Sequence, residues 1–271
     1  MNCAPRALVT RPAHDAAQWV RDLAAQGVVA QALPLIGIRS VAAPVLAQAL
    51  QQARAAAPGY RALMFVSGNA VTHFFEPNVA LALTGQAPAA INTRAWAPGP
   101  GTVQALLAAG MPAARIDAPP ASSAQFDSEA LWPVVAPQLK AGDCVLIVRG
   151  ASAPAAPGGS GREWLAARLA EAGVQVDFVA AYERCAPALD ASALALARQG
   201  AQDGSLWLLS SSEALAHLAQ ALPGQDWQRA RALATHPRIA QAARATGFGQ
   251  VHECRPALAD VAASIKSLHA R

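Results

Sequence analysis

Val174-Gln-Val-Asp-Phe-Val-Ala-Ala-Tyr-Glu-Arg-Cys185 is the stretch on which the reading of this chain turns. Val174, Val176, Phe178, Ala180 and Tyr182 recur at period two, which predicts a strand. The same order of elements runs once before this stretch and once after it. If the two runs fold as two lobes, Tyr182 stands near the cleft between them. Tyr182 is one of only two tyrosines in the chain. A phenol is protonated near neutral pH and suits a hydrogen-bond donor or weak general acid; simple packing at the junction is the other reading.

The 271 residues suffice for one large domain or two moderate ones. Apolar residues make up 54% but aromatics only 5%, so the core must rely on aliphatic side chains and close helix approach. The net charge of +4 favours anionic partners. The basic residues are scattered arginines, with Lys140 and Lys266 standing alone, so no nucleic-acid stripe is present. No secretory leader precedes the first strand and no apolar run reaches membrane-span length, so a cytoplasmic protein without a membrane partner is expected. Cys3, Cys144, Cys185 and Cys254 show no zinc or redox spacing and read as reduced thiols.

Taken in order, strands are expected at Ala7–Arg11, Ala32–Ile38, Ala62–Val66, Thr93–Ala97, Ala113–Ala118, Asp143–Arg149, Ser205–Leu209, Arg231–Thr235 and Gln250–Cys254. Helices are expected between them, among them one from Pro12 to Gln26, one from Val41 to Ala57 and one from Ser128 to Leu139 that carries Pro133 and Pro137. Ser160-Gly-Arg-Glu163 and Ser210-Ser-Ser-Glu213 fit capping boxes. Residues 76–90 read as irregular, and Ala151–Gly161 as a mobile loop, a candidate lid.

The two halves repeat. Arg11 corresponds to Arg149, Ser67 to Ser210 and Pro100 to Pro237, at offsets of 138, 143 and 137 residues. Alternating strands and helices predict an α/β fold with parallel sheets, each half flavodoxin-like in size. Every strand-to-helix turn then falls at one sheet edge, where ligands bind. Thr10-Arg11, Ser67-Gly68-Asn69, Gly99–Thr102, Ser210-Ser211-Ser212 and His236–Arg238 should line a crevice, with helix N-termini favouring anions.

Most individual motifs have a plain alternative. Gly99-Pro-Gly101-Thr102 breaks the dinucleotide pattern, because Gln104 replaces its third glycine. Ser67 and Ser210 lie in no nucleophile elbow and read as helix caps that can still face a ligand. His236 is an acid, a base or a cap. Arg11 and Arg149 clamp carboxylates or make structural ion pairs. The six histidines have no metal spacing, so no metal is expected.

Taken together the pieces resemble the uroporphyrinogen-III synthase family over nearly the full length. The resemblance rests on LVTRP at 8–12, PLIGI at 34–38, FVSGNAV at 65–71, GPGTV at 99–103, SEAL at 128–131, VLIVRG at 145–150, GREWLAARLAEAG at 161–173, AAYERC at 180–185, LLSSSEAL at 208–215 and THPRIAQAA at 235–243. It implies two flavodoxin-like lobes joined by a two-stranded linker, with an interleaved chain: 1–36 plus 184–271 in one lobe, 40–178 in the other, and crossings at 33–39 and 177–184. That replaces the boundary near residue 140 that the repeat alone suggests.

The resemblance further implies cyclisation of the linear tetrapyrrole hydroxymethylbilane to uroporphyrinogen III, with ring D inverted, water lost and no cofactor or metal. Tyr182 matches the family's cleft tyrosine and would be catalytic. Ser67, Asn69, Thr102, Glu129, Arg149, Ser210–Ser212 and His236–Arg238 match positions near the cleft; with Thr10, Arg11, Gly68, Gly99 and Gly101 they form the expected substrate-binding set. Val66 stands where relatives often carry threonine, and His236-Pro-Arg-Ile239 replaces a glycine-threonine form. A monomer is expected. A non-catalytic two-lobed binding or sensing protein for an anionic small molecule is the alternative, and a nucleotide-dependent enzyme is disfavoured by the broken glycine pattern.

Overall fold

Consecutive apolar residues can be buried on both faces only where helices cover both sides of a sheet. Ala7–Val9 (β1), Ala62–Phe65 (β4) and Leu206–Leu209 (β9) are such runs, with every residue buried. The computed structural model of the chain describes residues 6–75, 93–151 and 161–269. All three runs lie in the interior of parallel sheets.

The chain divides into two units, Met1–Gly37 with Cys185–Arg271, and Ile38–Arg184. The first, discontinuous unit holds β1, Ala13–Ala25 (α1), Ala30–Ala32 (β2), Ala191–Gly200 (α7), β9, Ser212–Ala221 (α8), Arg231–Ala234 (β10), Pro237–Thr246 (α9), Gln250–Glu253 (β11) and Leu258–His269 (α10). Its sheet runs β11-β10-β9-β1-β2, every pair parallel. The second unit holds Pro44–Ala56 (α2), β4, Gly68–Phe74 (α3), Arg94–Trp96 (β5), Pro100–Ala108 (α4), Ile116–Asp117 (β6), Ser128–Val135 (α5), Cys144–Ala151 (β7) and Gly161–Glu171 (α6). Gln175–Cys185 (β8) and Gly37–Ser40 (β3) are neighbours at its sheet edge, in the order β3-β8-β7-β4-β5-β6, and both strands carry the chain across the unit boundary.

Leaving β3 aside, the two sheets have one order. β9, β10, β11, β1 and β2 occupy the places of β4, β5, β6, β7 and β8. Arg11 therefore follows β1 and Arg149 lies near the end of the equivalent β7, just as Ser210 and Ser67 follow the equivalent β9 and β4. In each sheet the connections run outward in opposite directions from one point, between β1 and β9 or between β7 and β4. Such a switch point leaves room for a ligand at the strands' carboxyl ends.

Several local expectations are corrected. Ala32–Ile38 is not one strand: Pro34, which donates no ladder hydrogen bond, falls between β2 and β3. The second serine cap shifts by one residue, because Ser211 rather than Ser210 accepts from Glu213 N at 3.2 Å. The helix at Ser128 is capped by Asp127 and yields to a single tight turn, Ala136–Gln138. The span Ala113–Ala118 is mostly a tight turn, with only Ile116–Asp117 paired. The period-two reading of Val174–Tyr182 breaks at the end that matters, as described below. The irregular span 76–90, Ser160 and residues 152–160 of the expected loop lie outside the described residues.

Each unit has its own core. Trp207 donates to Gly200 O at 2.9 Å and meets Trp227 and Phe248 edge to face. In the other unit Phe65, Phe74 and Phe75 pack mutually, and Arg94 grips Asp117 through two bonds of 2.6 Å at the β5–β6 edge. Among the described residues no helix is long and apolar enough to cross a membrane. A Cβ on Gly249 would collide with the backbone carbonyl of Gln228, whereas one on Gly59 meets open space. Gly249→Ala should therefore lose about 2–3 kcal/mol in urea unfolding, and Gly59→Ala should stay within about 0.5 kcal/mol of the parent.

Candidate active site

β8 begins with Val176 on the sheet face of Val145, Ile147 and Trp96. Strict alternation would put Tyr182 on that face too. Val179 and Ala181 belong to the opposite face, with Leu63, Phe65 and Val148, and so does Tyr182. The register shows why: Arg149 pairs with Ala180, but Gly150 pairs with Tyr182, leaving Ala181 as an extra residue. This β-bulge turns the tyrosine over to the α3 face. Gly150 makes the turn possible, since a Cβ there would stand 2.7 Å from two atoms of the Tyr182 ring.

On that face the Tyr182 hydroxyl lies 3.1 Å from Ser67 Oγ, and the His73 ring stacks on the phenol at 5.7 Å between centroids. Both partners belong to α3 or its cap. Ser67 has extended backbone and accepts from Ala70 N at 3.2 Å, while Arg54 on α2 donates to the His73 and Phe74 carbonyls at the other end. The helix is thus held at both ends. Tyr182 is only 3% exposed, whereas Ser67 is half-buried at the rim. The phenol therefore reaches the rim through the serine hydroxyl.

A hydroxyl has two acceptor positions and one proton. With Tyr182 donating, Ala70 N–H and the phenol fill both acceptor positions of Ser67. Its own proton is then free to point outward. The chain's other tyrosine has a different setting: Tyr60 precedes β4 at the opposite sheet edge and bonds Asp177 at 2.8 Å. Burial first, then this carboxylate, pushes its pKa up to about 12.

The other expected residues of this unit lie at the starts of α3, α4 and α5 or near the end of β7. A Cβ on Gly68 would touch Ala105 and the Gly101 carbonyl, both at 3.5 Å, so the starts of α3 and α4 lie side by side. Gly99 caps α4 and Thr102, the third helical residue, is buried. Glu129 is exposed in the first turn of α5. Arg149 is exposed, its guanidinium 5.2 Å from the Phe178 ring centre.

In the other unit the Thr10 hydroxyl is buried and donates to Leu208 O at 2.6 Å, tying β1 to β9. That hydroxyl serves the sheet. Arg11 follows it, 4.0 Å above the Trp19 ring, beside Ser210. Ser211 caps α8, and Ser212 starts it. His236 caps α9 through Nδ1, which accepts from Arg238 N at 3.1 Å, with Pro237 in the first helical position. This use of Nδ1 as an acceptor makes His236 a cap. Among the described residues no three His, Cys, Asp or Glu side chains gather as a metal site.

The family model described as HEM4, Uroporphyrinogen-III synthase HemD, matches residues 17–261. The chain belongs to this family. Solved structures agree in fold. A mutant uroporphyrinogen III synthase from the extreme thermophile Thermus thermophilus is 18% identical, with 98% of this chain and 99% of that one covered and a TM-score of 0.54. A uroporphyrinogen-III synthetase from Helicobacter pylori is 15% identical, with 98% and 100% covered and a TM-score of 0.58.

Two residues beside the phenol are given no site role by the sequence. Gly150 carries a usable signal, as an isolated glycine within a strand pattern. His73 carries none, because one histidine in a short helix has no distinguishing pattern. Replacing Ser67 with alanine removes both the α3 cap and the phenol's partner. Ser67→Ala should cost about 1–2 kcal/mol in urea unfolding, whereas Ser212→Ala, one residue past a cap, should cost under about 0.5 kcal/mol.

Proposed function

We propose that this member of the family uses the Tyr182–Ser67 pair to assist loss of the hydroxyl from hydroxymethylbilane. The family activity closes that linear tetrapyrrole to uroporphyrinogen III with inversion of ring D and release of water. The observation that carries the mechanistic reading is the 3.1 Å contact between the buried phenol and a half-exposed hydroxyl.

Tyr182 passes its proton to Ser67 Oγ as Ser67 passes its own to the departing hydroxyl. The carbon–oxygen bond breaks with its electrons on oxygen, and water leaves. The ring A nitrogen supplies electrons to the methylene, giving an electrophilic azafulvenium. The substituted α-carbon of ring D attacks it, and the spiro product fragments and recloses at the free α-carbon. The proton lost from that carbon restores the phenol. No net proton is consumed.

The free bilane closes unaided without inversion, so the protein's larger task is to hold the chain in one geometry. The rim amides that start α4, α8 and α9, together with the net charge of +4, suit a substrate rich in acetate and propionate groups. Ser67, Gly68, Asn69, Gly99, Gly101, Thr102, Glu129 and Arg149 form the binding rim of one unit. Arg11, Ser210–Ser212, His236 and Arg238 form that of the other, with Thr10 as its support.

The protein acts as a cytoplasmic monomer. Cys144, Cys185 and Cys254 are free, and the exposed large apolar side chains, Val29, Val45, Leu107 and Phe178, are scattered in sequence.

Freshly generated hydroxymethylbilane, followed by oxidation and isomer chromatography, tests the proposal. The parent should yield isomer III above the spontaneous isomer I background; isomer I alone would leave the anion-binding alternative standing. Tyr182→Phe should lower kcat for isomer III by about 10²-fold, within the range of general acid catalysis, with KM little changed. Gly150→Ala, which displaces the ring without removing the hydroxyl, should lower kcat comparably. Unchanged turnover in Tyr182→Phe would take the phenol out of the chemistry.

A further inference from the structure

We infer that Arg11 and Ser210, at the switch point of the discontinuous unit, form a pocket for a single carboxylate arm of the substrate. This rests on the activity stated above and adds a specific contact to it.

The recess lies at the carboxyl ends of β1, β9 and β10 and is shallow, with free room for about one water-sized group such as a single carboxylate oxygen. Trp19, Leu208, Leu233 and Val261 give it an apolar wall. Arg11 and Ser210 supply its donors. Arg11 stacks on Trp19 at 4.0 Å, which fixes the plane of the guanidinium while leaving its N–H groups at the edge. Among the described residues no carboxylate closes an ion pair with Arg11, and no group accepts a hydrogen bond from its guanidinium or from the Ser210 hydroxyl.

Two neighbouring groups bear on that charge. Burial lowers the pKa of Arg11, and the field of Asp15 raises it. Cys254 also faces Arg11, but burial and Asp260 push the thiol up to about 12, so it is uncharged at neutral pH. Burial in turn brings Arg11 down to about 10, where it is still cationic at neutral pH. The guanidinium is partly exposed and feels the field of Asp15, yet among the described residues its N–H groups have no hydrogen-bond acceptor. A carboxylate entering the recess supplies the missing partner, and the guanidinium fork matches it bidentately.

Binding of uroporphyrin III, the oxidised octacarboxylate, to the full-length chain by fluorescence titration tests this, alongside isomer III kinetics. Arg11→Gln should raise Kd for uroporphyrin and KM for the bilane about tenfold each while kcat stays within twofold; Arg11→Lys should recover part of the loss. The Tm of ligand-free Arg11→Gln should stay within about 2 °C of the parent's, because the guanidinium closes no ion pair or hydrogen bond among the described residues. A structural arginine would instead lower it.

Coproporphyrin, which lacks the acetate carboxylates, sorts the arms. An undiminished Arg11→Gln effect assigns a propionate, and a lost effect an acetate. Unchanged Kd and KM in Arg11→Gln would overturn the pocket while isomer III formation by the parent upheld the activity. Arg11-dependent uroporphyrin binding by a parent that makes no isomer III would do the reverse.

Discussion

One extra residue in one strand governs the candidate site. Because Ala181 has no partner opposite it, β8 reverses its faces, and Tyr182 meets α3 instead of the side that holds Val176. The flip works only because Gly150 presents no side chain to the ring. Everything proposed for the chemistry follows from that local departure from alternation. The phenol is desolvated, its hydroxyl faces Ser67, and the serine in turn stands at the rim. A bulge leaves one residue unpaired, bends the strand and re-aims a side chain, and here it lies near the end of the β7–β8 pairing.

The second constraint is the strand order. Both sheets reverse direction beside the strand that leads into the Thr10-Arg11 turn or carries Arg149 near its end. The same topology puts helix starts, a serine cap and an arginine at each carboxyl edge. The two edges are nonetheless finished differently. In the continuous unit the serine that caps the helix after β4 also contacts the phenol. In the other, the serine equivalent to Ser67 leaves the capping to Ser211 and shares a recess with Arg11. Repetition supplies the framework, and substitutions at a few rim positions separate the proposed reaction centre from the proposed carboxylate recess.

Much of this is legible in the chain itself. The all-buried strands announce themselves as unbroken apolar runs, and the spacing of Arg11, Ser67 and Pro100 from their counterparts reveals the repeat. Three features are not legible, each for a physical reason. Alternation cannot foresee a bulge, since the apolar residues Val179, Ala181 and Tyr182 look acceptable in either phase. Pro34 reads as part of a strand because the residues around it are apolar, although its missing N–H breaks the ladder. Thr10 reads as a ligand contact yet serves the sheet, because a hydroxyl at a strand end satisfies a neighbouring carbonyl as readily as a ligand.

The central claim is that the proton of the Tyr182 phenol moves, through Ser67, as the substrate loses its hydroxyl. The chain contains two tyrosines, so fluorotyrosines of graded acidity incorporated into a Tyr60→Phe background replace Tyr182 alone. With donation in the rate-limiting step, kcat for isomer III, measured below the phenol pKa of every analogue, should rise steadily as the phenol becomes more acidic. A kcat indifferent to phenol acidity across the series would contradict the account.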